Sequence, residues 1–205
     1  MKRNKGIIFI IVIIAFIFIS LYFDGSLIKY ISSLRNGILD SFFLAITFVS
    51  SEIIIFFILT SLFLWNEKKR RWIFPLWLSL GISAVVAFIL KITIQRARPF
   101  QLGLVSLIPS LQQASFSIWN FSFPSFQSML AFCAIPILSE QFPRLKKFWI
   151  AFAVLVAFSR AYFGLHFISD VIAGGLIGYL IGVIIVREER ENKFGQKVYD
   201  KIFKK

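Results

Sequence analysis

Residues 159–170 read SRAYFGLHFISD, and the rest of the chain is best read outward from them. Ser159 and Arg160 close one apolar run, Asp170 opens the next, and His166, the sole histidine, lies between. His166 and Asp170 are four residues apart, the spacing that puts two side chains on one helical face. A carboxylate there can accept the Nδ1 proton of the imidazole, which fixes the tautomer and leaves the Nε2 lone pair exposed. That arrangement suits a nucleophilic imidazole. Arg160 adds a guanidinium six residues earlier. Ionised side chains at membrane depth cost roughly 2.5–3.5 kcal/mol each, so a greasy chain that keeps several at helix ends is using them.

The grease is plain in the composition. Of 205 residues, 58% are hydrophobic, and the mean hydropathy is +0.81. Soluble chains run at about 45–50% apolar residues. The expectation is an all-α integral membrane protein of one domain, residues 1–205, with a motif core at 91–170 and a basic tail at 187–205. Six apolar segments, at about 6–23, 42–65, 73–90, 126–139, 148–163 and 168–186, predict six transmembrane helices. The first follows a basic start but lacks a small-x-small cleavage pattern, so it reads as a retained span. The lone Cys133 excludes an intrachain disulfide and reads as inert packing.

The net charge of +13 would point to nucleic acid in a soluble protein. Here its placement argues for membrane orientation instead, with the lipid bilayer and no nucleic acid as partner. The N-terminal tail, the 66–72 turn, the 140–147 turn and the C-terminal tail hold seventeen of the 23 basic residues. Six spans put all four on one side, and the positive-inside rule makes that side cytoplasmic. The opposite face then carries Lys29, Arg35, Lys91, Arg96, Arg98 and Arg160. Residues 24–38 place Leu27, Ile31, Leu34 and Ile38 at helical spacing and predict an amphipathic helix on that outer face. Glu52 lies mid-membrane if 42–65 is one span, or near the outer mouth if 38–49 runs along the interface; it is assigned no role. Gly174, Gly178 and Gly182, four apart, read as a stripe for close helix packing.

Two further segments carry charge or helix-start signals toward the same face. In Lys91-x6-Arg98-Pro99 the two cations are nearly two turns apart and share a face if the helix continues to Pro99. An ammonium and a guanidinium converging on one spot suit a dianion. Pro124-Ser125-Phe126-Gln127 opens the fourth apolar segment. Ser125 reads as the cap of a helix whose free N–H groups face an anion.

Together the three segments resemble the signature of the type 2 phosphatidic acid phosphatase superfamily, which also includes vanadium haloperoxidases. That pattern is K-x6-R-P, P-S-G-H and S-R-x5-H-x3-D. Nine of its eleven positions match: Lys91, Arg98, Pro99, Pro124, Ser125, Ser159, Arg160, His166 and Asp170. The resemblance implies a phosphatase without metal or other cofactor, acting on a membrane lipid phosphate through a phosphohistidine on the non-cytoplasmic face. It makes His166 the nucleophile and Asp170 its orienter. Lys91, Arg98, Arg160, Ser125 and the backbone at Phe126 would hold the phosphate.

The pattern breaks at its Gly-His, which is Phe126-Gln127 here. The family's histidine protonates the leaving group and helps activate water. Glutamine can donate a hydrogen bond but gives up no proton near neutral pH. Loss of general acid catalysis typically costs about 10²–10⁴ in rate. Three readings follow. A lipid diphosphate, with polyprenyl diphosphate favoured, has a leaving phosphate that needs little protonation. A monoester such as phosphatidate or phosphatidylglycerophosphate would be cleaved more slowly or with other assistance. A non-catalytic homologue would only bind lipid phosphates, although binding alone does not need the His166–Asp170 pair.

Overall fold

The computed structural model describes residues 19–108, 111 and 120–203, and among them it is helical without strands. Residues 19–33 form α1, Gly37–Val49 α2, Glu52–Leu64 α3 and Ile73–Ile94 α4. After a long connection come α5 (Phe126–Gln141), α6 (Lys146–Tyr162), α7 (Ile168–Asn192) and α8 (Phe194–Phe203). The first predicted span lies mostly outside the described residues.

Among the described residues, two helical stretches are long and apolar enough to cross a membrane unaided, Glu67–Ile94 and Ile168–Asn192. A third is reached if α2 and α3 count as one span broken at Ser50–Ser51, where they bend by 63°. The continuous 42–65 span is therefore replaced by two helices, and Glu52 starts the second. The expected six spans are met only in part, since α5 has 16 residues and α6 has 17.

The amphipathic segment is also corrected. The helix expected over 24–38 is divided by a break after residue 33, and Asn36 caps α2 by accepting the Leu39 N–H at 3.0 Å. Ile31 is buried while Leu27, Leu34 and Ile38 are exposed, so the expected stripe does not share one environment. The buried face of α1 is instead Ser20, Asp24, Ile28 and Ile31. Within the basic tail the described residues are largely helical. Helix α7 runs to Asn192, and α8 folds back so that Gly195 meets Pro75 and the Arg71 carbonyl.

Helix α5 packs against α4, α6 and α7, and its seam with α7 is built by the glycine stripe. A Cβ at Gly174, Gly178 or Gly182 would lie 2.6, 2.2 and 2.2 Å from the carbonyl oxygens of Ser125, Met129 and Cys133. Glycine every fourth residue thus lets the two backbones touch, as the spacing predicts. On the other side of α5, Ile55, Leu59, Phe63, Leu76, Leu80 and Ile137 form the main apolar core. Close α5–α7 contact holds Ser125 beside Asp170, where the Ser125 N–H donates to the Asp170 carbonyl at 3.1 Å.

Gly178→Ala must push the α5 backbone away and is expected to lower the melting temperature of the purified protein; overpacking costs typically about 1–3 kcal/mol. Gly81→Ala in α4, where a Cβ meets nothing within 4 Å, serves as the control and is expected to leave stability unchanged or slightly raised.

Candidate active site

His166 sits in the turn between α6 and α7. Gly164 makes that turn possible: it adopts φ +67°, and a Cβ there would lie 2.1 Å from Val105 Cγ2. The Leu165 and His166 N–H groups fold back on the Arg160 carbonyl at 3.0 and 3.3 Å. The imidazole is 2% exposed, with Nδ1 2.7 Å from the Ser122 carbonyl oxygen. A carbonyl can only accept, so Nδ1 carries the proton and Nε2 keeps its lone pair.

The tautomer is therefore the one expected, but its partner differs. Asp170 Oδ2 stands 4.0 Å from Nδ1, too far for a hydrogen bond. The reason is local: α7 begins at Ile168, so His166 precedes the helix and does not share its face. Asp170 acts on the imidazole through Ser122, whose hydroxyl donates to Oδ2 while its carbonyl accepts from Nδ1.

Asp170 is fully buried, and its other bonds supply the donors that its carboxyl group needs there. The Phe167 N–H donates to Oδ2 at 2.9 Å, and Arg96 Nη1 donates to Oδ1 at 2.6 Å. The second arm of Arg96 reaches the buried Asp24 of α1 at 2.8 Å. Asp24 also receives the Ser169 N–H at 3.1 Å and the Ser169 hydroxyl. The Arg96 guanidinium lies 4.0 Å above the Phe167 ring. Arg96, Asp24 and Ser122 were missed as site residues in the sequence. The available signal was cost: an acid and a base with no assigned role, close to apolar spans, need each other.

Three cations converge on the imidazole. Helix α4 ends at Ile94, with Gln95 at φ 50°, so Arg98 does not continue the face of Lys91 as expected. The loop carries it back instead. Lys91 Nζ donates to the Phe121 carbonyl at 2.5 Å; Arg98 donates to the carbonyls of Asn120 at 3.3 Å and Leu165 at 3.2 Å. Consecutive carbonyls at 120, 121 and 122 thus take Arg98, Lys91 and His166. Arg160, 3% exposed, reaches Ser50 Oγ at 3.4 Å. Burial, with the charges of Arg98 and Lys91 adding to it, holds His166 well below the usual imidazole range. Burial also lowers Arg98, to about 10, which leaves it charged at neutral pH.

Ser125 occupies the N-cap of α5 but makes no capping bond; its oxygen accepts from Ser128 Oγ at 2.9 Å. The first-turn N–H groups of α5 thus have no side-chain cap. The Phe126 ring turns to an apolar pocket of about 290 Å³, lined also by Phe56, Leu80, Leu130 and Glu52. Gln127 Nε2 donates to Glu52 Oε1 at 2.8 Å. Glu52, unassigned from sequence, therefore joins the segment where the pattern breaks. Among the described residues no group of three or more His, Cys, Asp or Glu is placed to hold a metal ion.

A buried imidazole with its Nδ1 proton on the Ser122 carbonyl, beside a lysine and two arginines and between apolar helices, defines a membrane protein with a histidine-centred cationic site. Residues 72–193 match the PAP2 superfamily, and the chain belongs to it. It is 33% identical over 129 residues to phosphatidylglycerophosphatase B of Bacillus subtilis, covering 57% of this chain and 58% of that one. It is 35% identical over 99 residues to lipid A 1-phosphatase of Rhizobium etli, covering 47% and 41%. The chain thus spans about half the length of these two relatives. Among solved structures, the PAP2 type phosphatidylglycerolphosphate phosphatase of B. subtilis superposes with TM-score 0.69 at 25% identity, over 90% of this chain and 97% of that one. Aquifex aeolicus LpxE gives 0.64 at 28%, over 80% and 94%. Family and apolar helices together make this an integral membrane protein.

Two outcomes check this geometry. With one histidine in the chain, nitrogen NMR of imidazole-labelled protein in micelles is expected to show the Nδ1–H tautomer. A lowered pKa means the neutral form persists as pH falls, so no titration is expected between pH 8 and 6; a midpoint near 6.5 would contradict the buried site. Arg96→Met leaves Asp24 and Asp170 buried without their shared cation. It is expected to destabilise the fold by about 3–5 kcal/mol, read as a lower melting temperature.

Proposed function

We propose that this protein is a membrane lipid phosphatase that works through a phosphohistidine on His166, with polyprenyl diphosphate as the favoured substrate. The carrying observation is the imidazole, locked by the Ser122 carbonyl so that Nε2 carries the lone pair, and flanked by Lys91, Arg98 and Arg160. Nε2 attacks phosphorus, and the cations hold the phosphoryl oxygens as charge builds on them. Phosphoryl transfer asks chiefly for such positioning and charge stabilisation. The pocket lined by Phe126, which follows Ser125 in the chain, offers apolar surface for part of a lipid tail.

Gln127 donates its amide proton as a hydrogen bond to Glu52 and has no proton to transfer. A leaving phosphate is a far weaker base than an alkoxide, and this favours a diphosphate. A second reading, hydrolysis of a phosphatidylglycerophosphate-type monoester, is favoured by the names carried by the similar B. subtilis sequence and the similar B. subtilis structure. The charge distribution along the chain supports a site on the non-cytoplasmic face, six spans and cytoplasmic termini.

The test is phosphate release in EDTA by purified protein in mixed micelles. A kcat/KM at least about tenfold higher for polyprenyl diphosphate than for phosphatidylglycerophosphate or phosphatidate is expected, with His166→Ala inactive on all. Preference for a monoester would establish the second reading, and tight lipid binding with no turnover would leave a binding protein.

A further inference from the structure

We propose that Glu52 is the base that activates water to hydrolyse the phosphorylated His166, in place of the imidazole that position 127 lacks; this rests on the phosphatase reading above. Whatever the leaving group, the phosphohistidine must be resolved by water, and the water must lose a proton. A diphosphate can leave without an acid, so the missing histidine is felt most in this second half-reaction.

Among the described residues, few groups around His166 are placed to accept a proton. Arg98 and Arg160 are cations, Lys91 Nζ is turned to the Phe121 carbonyl, and Gln127 is an amide. Asp170 is buried with Oδ1 taken by Arg96 and Oδ2 by Ser122 and Phe167. Glu52 differs in three ways. It is exposed, at the start of α3 and not inside the packed core. Gln127 anchors one carboxylate oxygen at 2.8 Å, which leaves the other for a water. Its charge acts on Arg160, the buried guanidinium beside His166. The break at Ser50–Ser51 produces this placement, setting Ser50 against Arg160 and Glu52 against Gln127. An acid in the first turn of α3 also complements the helix dipole, but that role does not call for a bond to a residue on α5.

The step balances. Water oxygen bonds to phosphorus as the Nε2–P bond breaks, and the bonding pair returns to Nε2. The water proton passes to the Glu52 carboxylate and inorganic phosphate departs. Glu52 then gives the proton to solvent, or to a leaving group in the next turnover.

The experiment is rapid-quench kinetics of Glu52→Gln with lipid diphosphate labelled at the terminal phosphate. The variant keeps an oxygen for the Gln127 amide but cannot accept a proton. A burst close to one product per protein is expected, followed by turnover about 10²–10⁴-fold slower than wild type. Acid-labile, alkali-stable phosphate should accumulate on His166. Adding Gln127→His to this variant should restore turnover at least about tenfold. Wild-type turnover by Glu52→Gln would overturn the proposal. So would equal loss of burst and turnover with no trapped phosphohistidine, which would make Glu52 a positioning residue for Gln127. If the wild type itself releases no phosphate from any lipid, the phosphatase reading falls and the role of Glu52 with it.

Discussion

Asp170 is a carboxylate with no exposure to solvent, and a buried charge of this kind persists only when donors surround it. Its donors come from three separate parts of the chain: Arg96 after α4, Ser122 before α5, and Phe167 at the start of α7. Satisfying one carboxylate thus draws together the three segments that carry the chemistry. Ser122 then passes the constraint to His166 through its carbonyl. Arg96 extends it to Asp24, so α1 is tied to the same point.

Around this anchor, charge is divided by role. Arg96 is spent on two buried carboxylates. Lys91, Arg98 and Arg160 bond to carbonyl or hydroxyl oxygens and, among the described residues, none of them is spent on a direct ion pair. The excess cation surrounds the imidazole and gives an anion a reason to enter an apolar region. The glycine seam between α5 and α7 sets the floor, since it fixes the helix start at Phe126 against Asp170.

Much of this was legible in the sequence, in an uneven way. Residue types and spacing pointed to Lys91, Arg98, Ser125, Arg160, His166 and Asp170, and the structure brings them together. Glycine spacing gave the α5–α7 contact because a four-residue repeat leaves few other uses. What could not be read was where helices stop. The spacing of His166 and Asp170 assumed one helix, yet the turn at Gly164 keeps His166 outside it, and Ser122 enters instead. The continuous hydropathy of 42–65 concealed the break at Ser50–Ser51, which depends on tertiary contacts of Ser50 and Glu52. Asp24 and Arg96 are paired across 72 residues, a separation that local pattern does not report.

The departure at Phe126-Gln127 is thus better viewed with Glu52 than alone. Gln127 holds a carboxylate at the edge of the site, and Phe126 turns its ring to an apolar pocket, so the substitution reshapes the segment without filling the anion centre. The central claim is that Nε2 of His166 meets phosphorus inside the Lys91–Arg98–Arg160 cluster. Its most direct measurement is a structure with orthovanadate, which takes the five-coordinate geometry of phosphoryl transfer. The account predicts vanadium bonded to Nε2, with oxygens contacted by all three cations. Vanadate bound elsewhere, or at Nε2 without those contacts, would contradict it.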